Sequence, residues 1–314
     1  MSTIQAGLAA RVPAHGRYLS LALRPGADAV VRSTLQALAT EADGLHTVVG
    51  LGATLVARLD AAVPGLRSFS APPASRVDLP ATPAELWLWL RSEDDPGVLL
   101  QRGRALARLL APAFDVVHEL AAFRHQGGRD LTGYEDGTEN PTGRDMIDTL
   151  GVQGQGAGLD GGSFVAVQQW EHALDRFDRF DRTTQDRMIG RRRDDNVELD
   201  DAPPSAHVQR TAQESFAPEA FVVRRSMPWA EGGRCGLLFT AFATGFDAFE
   251  SQLARMAGVE DGVVDDLFRF SQPVTGAYYW CPPVDRQGLD LRRVLGDTFG
   301  ANGPLQAQDL LDIR

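Results

Sequence analysis

The chain has 314 residues, of which 43% are hydrophobic and 23% are charged, as in an ordinary globular protein long enough for about two domains. Its formal net charge of -11 disfavours a nucleic-acid partner and an anionic membrane surface, because both bind basic faces. Two cysteines, Cys235 and Cys281, are too few for a thiolate metal site and favour a reducing compartment. No charged and apolar leader follows Met1, and no run of about 18 apolar residues occurs, so we expect a cytoplasmic protein.

The first half of the chain predicts a strand, a helix, two strands and a second helix. These elements are expected at residues 18–23, 27–39, 46–52, 85–90 and about 100–120. Prolines between the second and third strands indicate a loop. Pro112 should kink or interrupt the last helix, because proline lacks the N–H that a helix interior requires.

The second half repeats this order after the glycine-rich residues 151–162. Its expected elements are a strand at 163–170, a helix at 174–180, strands at 221–225 and 236–242, a helix at 246–256 and a last strand at 275–281. The repeated order indicates an α+β fold of two duplicated ferredoxin-like units, residues 1–150 and 151–314. Each unit would carry helices on an antiparallel sheet, with a pocket where the units meet.

The segment 133–141 is expected to be a turn near the middle of the chain. Its sequence, GYEDGTENP, combines residues that tolerate positive φ with a proline that cannot continue a ladder. An acidic surface loop is one interpretation of this composition. The segment also follows the apolar residues 109–123 and lies where a crevice between two halves would open, which favours a functional loop.

Two familiar site patterns receive little support. Residues 156–161 match the dinucleotide-binding spacing G-x-G-x-x-G, but that site requires a strand before the glycines and a helix after them. Here a strand follows, so we interpret the segment as a flexible linker. None of the six histidines lies three to five residues from another, which disfavours a metal site built on one helix and leaves a single axial ligand.

His207 follows two prolines and could present its ring to a cavity from an irregular segment. Most lone histidines are surface or hydrogen-bonded residues, and that interpretation stays open. Arg224 and Ser226 lie two apart on a predicted strand and should therefore face the same side. If that side also faces Asp136, the cleft holds a pair of fixed charges, which is more typical of a functional site than of a surface.

Together these motifs resemble the dye-decolorising peroxidase family. The matching pieces occur in the family's order: Gly133-x-x-Asp136-Gly137 with Thr138-Glu139-Asn140-Pro141, then His207, Arg224-Arg225-Ser226-Met227-Pro228, Gly236-x-x-Phe239, and a closing segment from Asp265 to Gly276. The similarity covers most of the chain, is weakest before about residue 100, and is to the compact bacterial branch that lacks a secretion signal.

The resemblance implies a peroxidase that holds haem b in its C-terminal half. It would reduce hydrogen peroxide and oxidise dyes, phenolic or other aromatic donors in one-electron steps. His207 would be the proximal iron ligand, and Asp265 would accept its other ring N–H, although Asp265 could instead cap a helix before Leu267. Asp136 and Arg224 would be catalytic on the peroxide-binding face, where the carboxylate moves a proton and the guanidinium supplies positive charge.

The resemblance also implies further contacts. Ser226 and Phe239 would line the haem pocket, and Arg210 could pair with a haem propionate or face solvent. An aromatic relay to the surface could use Tyr134, Trp229, Tyr278, Tyr279 or Trp280, although such residues more often belong to cores. A homo-oligomer is expected, and residues 303–314 do not clearly match the shell-targeting peptide with which some relatives end.

Two other functions stay open. A haem-binding or haem-handling protein, including one that releases iron from haem, would need His207 but neither Asp136 nor Arg224. A cofactor-free acidic scaffold would need none of these residues and would be colourless.

Overall fold

The computed structural model describes residues 3–296. The helices in this range are α1 Ala6–Ala9, α2 Val31–Glu41, α3 Ala53–Arg58, α4 Pro96–Leu110, α5 Gly143–Leu150, α6 Leu174–Phe177, α7 Arg182–Ile189, α8 His207–Arg210, α9 Asp247–Met256 and α10 Arg292–Leu295. The strands are β1 His15–Leu23, β2 Thr47–Leu51, β3 Leu86–Ser92, β4 Phe114–Phe123, β5 Ser163–His172, β6 Val223–Arg224, β7 Met227–Glu231, β8 Arg234–Ala243, β9 Ser271–Pro273, β10 Ala277–Cys281, β11 Val284–Asp285 and β12 Gly288–Leu289. None of these helices combines the length and the apolar character that a bilayer crossing requires.

Ten strands form one antiparallel sheet in the order β6-β8-β7-β4-β1-β3-β2-β10-β5-β9. Because β5 also pairs with β8, the eight strands from β8 through β1 to β5 close into a ring. The two halves of the chain meet in this sheet, where β2 pairs with β10 and β4 pairs with β7. The predicted α+β class with antiparallel strands is confirmed. The predicted boundary at residues 150 and 151 falls between α5 and β5, and the division into two units stays a prediction.

The two faces of the sheet carry different side chains, because successive residues of a strand point to opposite sides. Trp87 and Trp89 of β3 pack in a cluster with Tyr18 of β1, whose ring stacks on Trp89 with centroids 5.8 Å apart. Leu88 and Leu90 belong to a second cluster, which includes residues of α2 and α4. Every strand of the ring contributes to the tryptophan cluster, so this cluster fills the inside of the ring and the leucine cluster lies between the ring and the helices.

The helix predicted over about residues 100–120 is wrong in its second half. α4 begins after Asp95, whose carboxylate accepts a backbone N–H of the first turn at 2.7 Å, and it ends two residues before Pro112. The chain then continues as β4, which pairs with β1 along its whole length. Val116 and Val117 of β4 are both exposed, so the strand lacks the alternation of buried and exposed residues by which a strand is recognised.

Two further predictions are wrong near the cavity described below. The helix predicted at residues 174–180 is α6 followed by α7, because the Asp181 carboxylate caps a new helix by accepting the Thr184 N–H at 2.8 Å. His207 does not lie in an irregular segment, since it is the first residue of the single-turn helix α8. Ile189, at the end of α7, and His207 both line that cavity.

Candidate functional site

An apolar cavity lies beside β5, β8 and α9 and encloses about 850 Å³ of empty space including its mouth. Its apolar walls are formed by large side chains, among them Leu237, Phe239, Phe249, Leu253 and Met256. Asp136, His207 and Arg224 also line it. A cavity of this size with apolar walls and a few polar groups is typical of a site for a cofactor or a small molecule.

His207 is held by a buried carboxylate. Its Nδ1 lies 2.8 Å from Oδ2 of Asp265, which is 1% exposed. A carboxylate accepts, so we assign the ring proton to Nδ1, which leaves Nε2 as the nitrogen available to a ligand. The other oxygen of Asp265 accepts the backbone N–H of Leu267 at 2.8 Å. Asp265 therefore has both roles that the sequence offered as alternatives. It is the hydrogen-bond partner of His207, and it caps the helical turn that contains Leu267.

Asp136 and Arg224 form an ion pair in the same cavity. Arg224 Nε lies 3.6 Å from Asp136 Oδ1, which is too long for a hydrogen bond. The two side chains are 15% exposed for Arg224 and 24% exposed for Asp136, so both are largely withdrawn from bulk water. The structure thus brings these two charges and His207 into one cleft, and the catalytic roles of the two charges stay a prediction.

The loop 133–141 reaches this cleft because Asn140 binds the backbone beside it. Asn140 Oδ1 accepts the Arg224 N–H at 2.7 Å, and its Nδ2 donates to the Arg224 carbonyl at 3.1 Å. Gly137 adopts a φ of +77°, and a Cβ there would lie 2.7 Å from Asn140 Nδ2. The glycine, the asparagine and the strand end at Arg224 therefore fit one geometry, which explains the turn chemistry of this segment.

The remaining predicted pocket residues are placed differently from one another. Phe239 lines the cavity and packs against Phe249 with ring centroids 5.9 Å apart. Ser226 does not line this cavity but lines a neighbouring one, which Arg224 also lines. Arg210 lines neither cavity: it is 4% exposed, and both terminal nitrogens donate to Asp261 at 2.8 Å. The structure therefore does not bring Arg210 to the site for a propionate contact.

Among the five aromatic residues considered as a relay, Tyr134 lines the cavity. Its hydroxyl donates to the carboxylate of Asp186, and burial together with this hydrogen bond raises the pKa of Tyr134. The other four belong to the two hydrophobic clusters: Trp229 and Tyr279 inside the ring, Tyr278 and Trp280 outside it. The relay stays a prediction, and Tyr134 is the member of the set with access to the cavity.

The sequence did not indicate a buried polar network beside the cavity. His172 Nε2 lies 3.0 Å from Asp130 Oδ1, and its Nδ1 lies 2.7 Å from Ser271 Oγ. Burial alone would raise the pKa of Asp130, but the imidazole of His172 and the hydrogen bonds from His172 and Thr132 outweigh burial and lower the pKa to about 2. His172 is 42 residues from Asp130 and 99 from Ser271 in the chain, so no local pattern signals the network.

The site residues lie in a segment that matches a known protein family. Residues 127–286 match the family model described as Dyp-type peroxidase, C-terminal, and this segment contains Asp136, His207, Arg224 and Asp265. The dye-decolorizing peroxidase of Mycobacterium tuberculosis is 32% identical over 67% of this chain. The chain spans 64% of that relative's own length.

The solved structures that this chain resembles are also dye-decolorizing proteins. A dye-decolorizing protein from V. cholerae is 29% identical, with a TM-score of 0.79 over 90% of this chain and 96% of its own. A variant of DypB from Rhodococcus jostii RHA1, solved in complex with haem, is 27% identical, with a TM-score of 0.78 over 91% of this chain and 95% of its own. The resemblance seen in the motifs is confirmed, and this chain belongs to the Dyp-type peroxidase family.

Proposed function

We propose that this protein is a haem-dependent peroxidase. It would reduce hydrogen peroxide and oxidise dyes, phenolic or other aromatic donors by one-electron steps. The observation that carries the proposal is that two matched pairs, His207 with Asp265 and Asp136 with Arg224, serve a single apolar cavity. The haem-bound structure of the Rhodococcus jostii relative supports haem b as the cofactor.

The residues of this cavity fit a haem. A porphyrin needs an apolar slot, and Phe239, Leu253 and Met256 supply apolar walls. The iron needs a neutral imidazole, and His207 offers Nε2 while its Nδ1 is bound to the buried Asp265 carboxylate. When bound, the haem would supply the iron that reduces peroxide and then takes single electrons from a donor.

The side chains of the chain itself would then have separate tasks. Asp136 would take a proton from the peroxide oxygen nearer the cofactor and return it to the departing oxygen, directly or through one water. Arg224 would stabilise the negative charge that develops on the departing oxygen. Asp265 would hold His207 in one tautomer and orientation, and Asn140 would hold the loop of Asp136 against the backbone of Arg224.

A haem-handling protein, including one that releases iron from haem, is the alternative. It would need the cavity and His207, but nothing in haem binding requires a carboxylate and a guanidinium kept 3.6 Å apart in the same cleft. This pair is why we favour the enzyme. The cytoplasmic location and the homo-oligomer stay predictions, and the C-terminal residues 303–314, where a shell-targeting peptide was sought, lie outside the described residues.

The absorption spectrum of the purified protein is the first test. We expect a Soret band and about one haem per chain, together with dye bleaching that requires added hydrogen peroxide. A protein that stays colourless when haem is supplied would indicate the scaffold. Bound haem that bleaches dye no faster than free haemin would indicate the haem-handling protein.

A further inference from the structure

A second cavity adjoins the first on the side of Asp136 and Arg224. We call it the vestibule; it is lined by residues that include Arg11, Arg124, Arg129, Arg225 and Ser226, and it encloses about 760 Å³ of empty space including its mouth. Four residues line both cavities, namely Asp130, Asp136, Arg224 and Leu237. The vestibule is therefore a separate chamber that borders the cleft, and Asp136 and Arg224 line both.

Arginines outnumber carboxylates around the vestibule. Five arginines line it, against the carboxylates of Asp130 and Asp136, and Asp130 is already hydrogen-bonded to His172 at 3.0 Å. Two of the arginines have carboxylate partners outside the lining: Arg124 lies 3.3 Å from Glu93, and Arg129 lies 3.0 Å from Glu135. Arg11 is exposed at the rim. The chamber thus carries excess positive charge although the whole chain is acidic.

Arg225 is buried without a counter-ion. It is 8% exposed, and its guanidinium donates to the backbone carbonyls of Leu8, Ala9 and Arg224, each at 3.0 Å. Among residues 3–296 no carboxylate pairs with it. Burial, together with the like charge of Arg91, lowers the pKa of Arg225 to about 10. Its other partner is the Met146 Sδ at 3.2 Å, so all its partners are neutral, and such a buried cation is stabilised by any anion that binds nearby.

Ser226 supplies an unused donor. The residue is 7% exposed, and among the described residues its buried Oγ has no hydrogen-bond partner. Buried hydroxyls normally have a partner, so this one is available to a group that enters the vestibule. The Ser226 hydroxyl could therefore donate a hydrogen bond to an anion that the positive charge of the arginines attracts.

We propose that the vestibule binds a small planar oxyanion of single negative charge, such as a carboxylate, without ligating the haem iron. A planar oxyanion matches the arrangement of arginine N–H groups, and it can accept from Ser226. A dianion is disfavoured because Asp130 and Asp136 also line the chamber. The expected consequence rests on the proposed function: a bound carboxylate would compete with peroxide for the approach to Asp136.

Isothermal titration calorimetry of the haem-loaded protein tests the site. Sodium acetate and, separately, sodium nitrate are titrated at constant ionic strength while the Soret band is recorded. We expect saturable binding of one anion per chain with an unchanged Soret band, and an apparent KM for peroxide that rises with acetate. Binding of acetate alone would identify the ligand as an organic acid, and binding of nitrate alone would identify it as an inorganic oxyanion. Binding of both would show that the site recognises the planar oxyanion group that they share.

Variants locate the binding. Ser226→Ala should weaken acetate about ten- to a hundredfold, the usual effect of losing a hydrogen bond to a charged group. Arg11→Gln should weaken it roughly two- to fivefold, as for an exposed charge, and less at high salt. Arg286→Gln removes another exposed arginine, one that does not line the vestibule, and should bind acetate as the unchanged protein does.

Three results would overturn the proposal. They are the absence of saturable binding, binding that shifts the Soret band and so reports an iron ligand, and equal affinity in Ser226→Ala, Arg11→Gln and the unchanged protein. If the purified chain takes up no haem, the same titrations are made on the apoprotein. Anion binding there would support the vestibule even while the peroxidase function failed, so the two failures are distinguishable.

Discussion

The cavity has two polar pairs that are built in different ways: His207 with Asp265, which we call the holding side, and Asp136 with Arg224, which we call the receiving side. On one side, His207 and Asp265 share a direct hydrogen bond of 2.8 Å, and the Asp265 side chain is fully buried. On the other side, Asp136 and Arg224 are 3.6 Å apart, partly exposed, and adjoin the vestibule. A side that must hold one group in one orientation gains from a closed, fully satisfied contact. A side that must receive and release a reactant gains from charges that are fixed but still free to take a new hydrogen bond.

Replacement of His207 should break the holding side altogether. His207→Ala removes one of the two histidines that line the cavity, and the other, His172, is buried with both ring nitrogens already hydrogen-bonded. We expect folded protein that loses most of its haem, measured by haem content per chain and by thermal unfolding. His118→Ala, at an exposed position of β4, is the matched control. Full haem retention with an unchanged spectrum would remove His207 from the proximal role.

Replacement of the two charges should affect the receiving side alone. Asp136→Ala and Arg224→Leu should keep haem content near normal, because neither residue is expected to hold the cofactor. Loss of the proton acceptor should slow the reaction with peroxide by about 10² to 10⁴-fold, and loss of the charge by about 10² to 10³-fold. Stopped-flow absorption after mixing with hydrogen peroxide gives the rates.

The double variant tests whether the two charges act as one unit. If they do, Asp136→Ala with Arg224→Leu should be little slower than the slower single variant. Glu139→Gln, in the same loop but outside the cavity lining, should react at the normal rate. Normal rates in both single variants and in the double variant would favour the haem-handling protein over the enzyme.

Asp265 allows the two roles of one carboxylate to be separated. Asp265→Asn keeps an acceptor for the Leu267 N–H but removes the negative charge beside His207. We expect retained haem, about 10 to 100-fold lower affinity or activity, and a reduction potential shifted upward, because a less basic imidazole stabilises the oxidised iron less. Asp265→Ala should in addition lose about 1 kcal/mol of unfolding free energy with the cap. Spectroelectrochemistry measures the potential, and an unaltered potential in Asp265→Asn would leave only the capping role.

The smallest expected effect concerns Asp130, which lines both cavities. Its folded-state pKa of about 2 lies below the ordinary 3.8, so its ionised form stabilises the fold above about pH 4. This stability should be lost as the pH falls from about 4 to about 2. Asp130→Asn should lower the unfolding free energy near pH 6 and flatten its pH dependence in that window. Urea unfolding of the apoprotein checks this, and an identical slope in the variant would contradict it.

Much of the site could be predicted because its chemistry is local. The turn residues Gly137 and Asn140 constrain their own backbone, so the segment 133–141 was recognisable before its contacts were known. His207, Asp136 and Arg224 could be placed together through the resemblance, and the structure brings them to one cavity. The cap formed by Asp265 is also local, since it spans two residues.

Contacts between distant segments were decided only by the tertiary structure. β4 was mistaken for helix because its valines face outward, and its pairing with β1 follows from closure of the ring rather than from its own pattern. The resemblance left Arg210 to pair with a haem propionate or to face solvent, but the fold places Asp261 against it, and both terminal nitrogens donate to that carboxylate. The bond between Asp130 and His172 likewise joins residues 42 apart. Periodicity reports the face on which a residue lies, whereas partner choice depends on which strands and loops the closed sheet brings together.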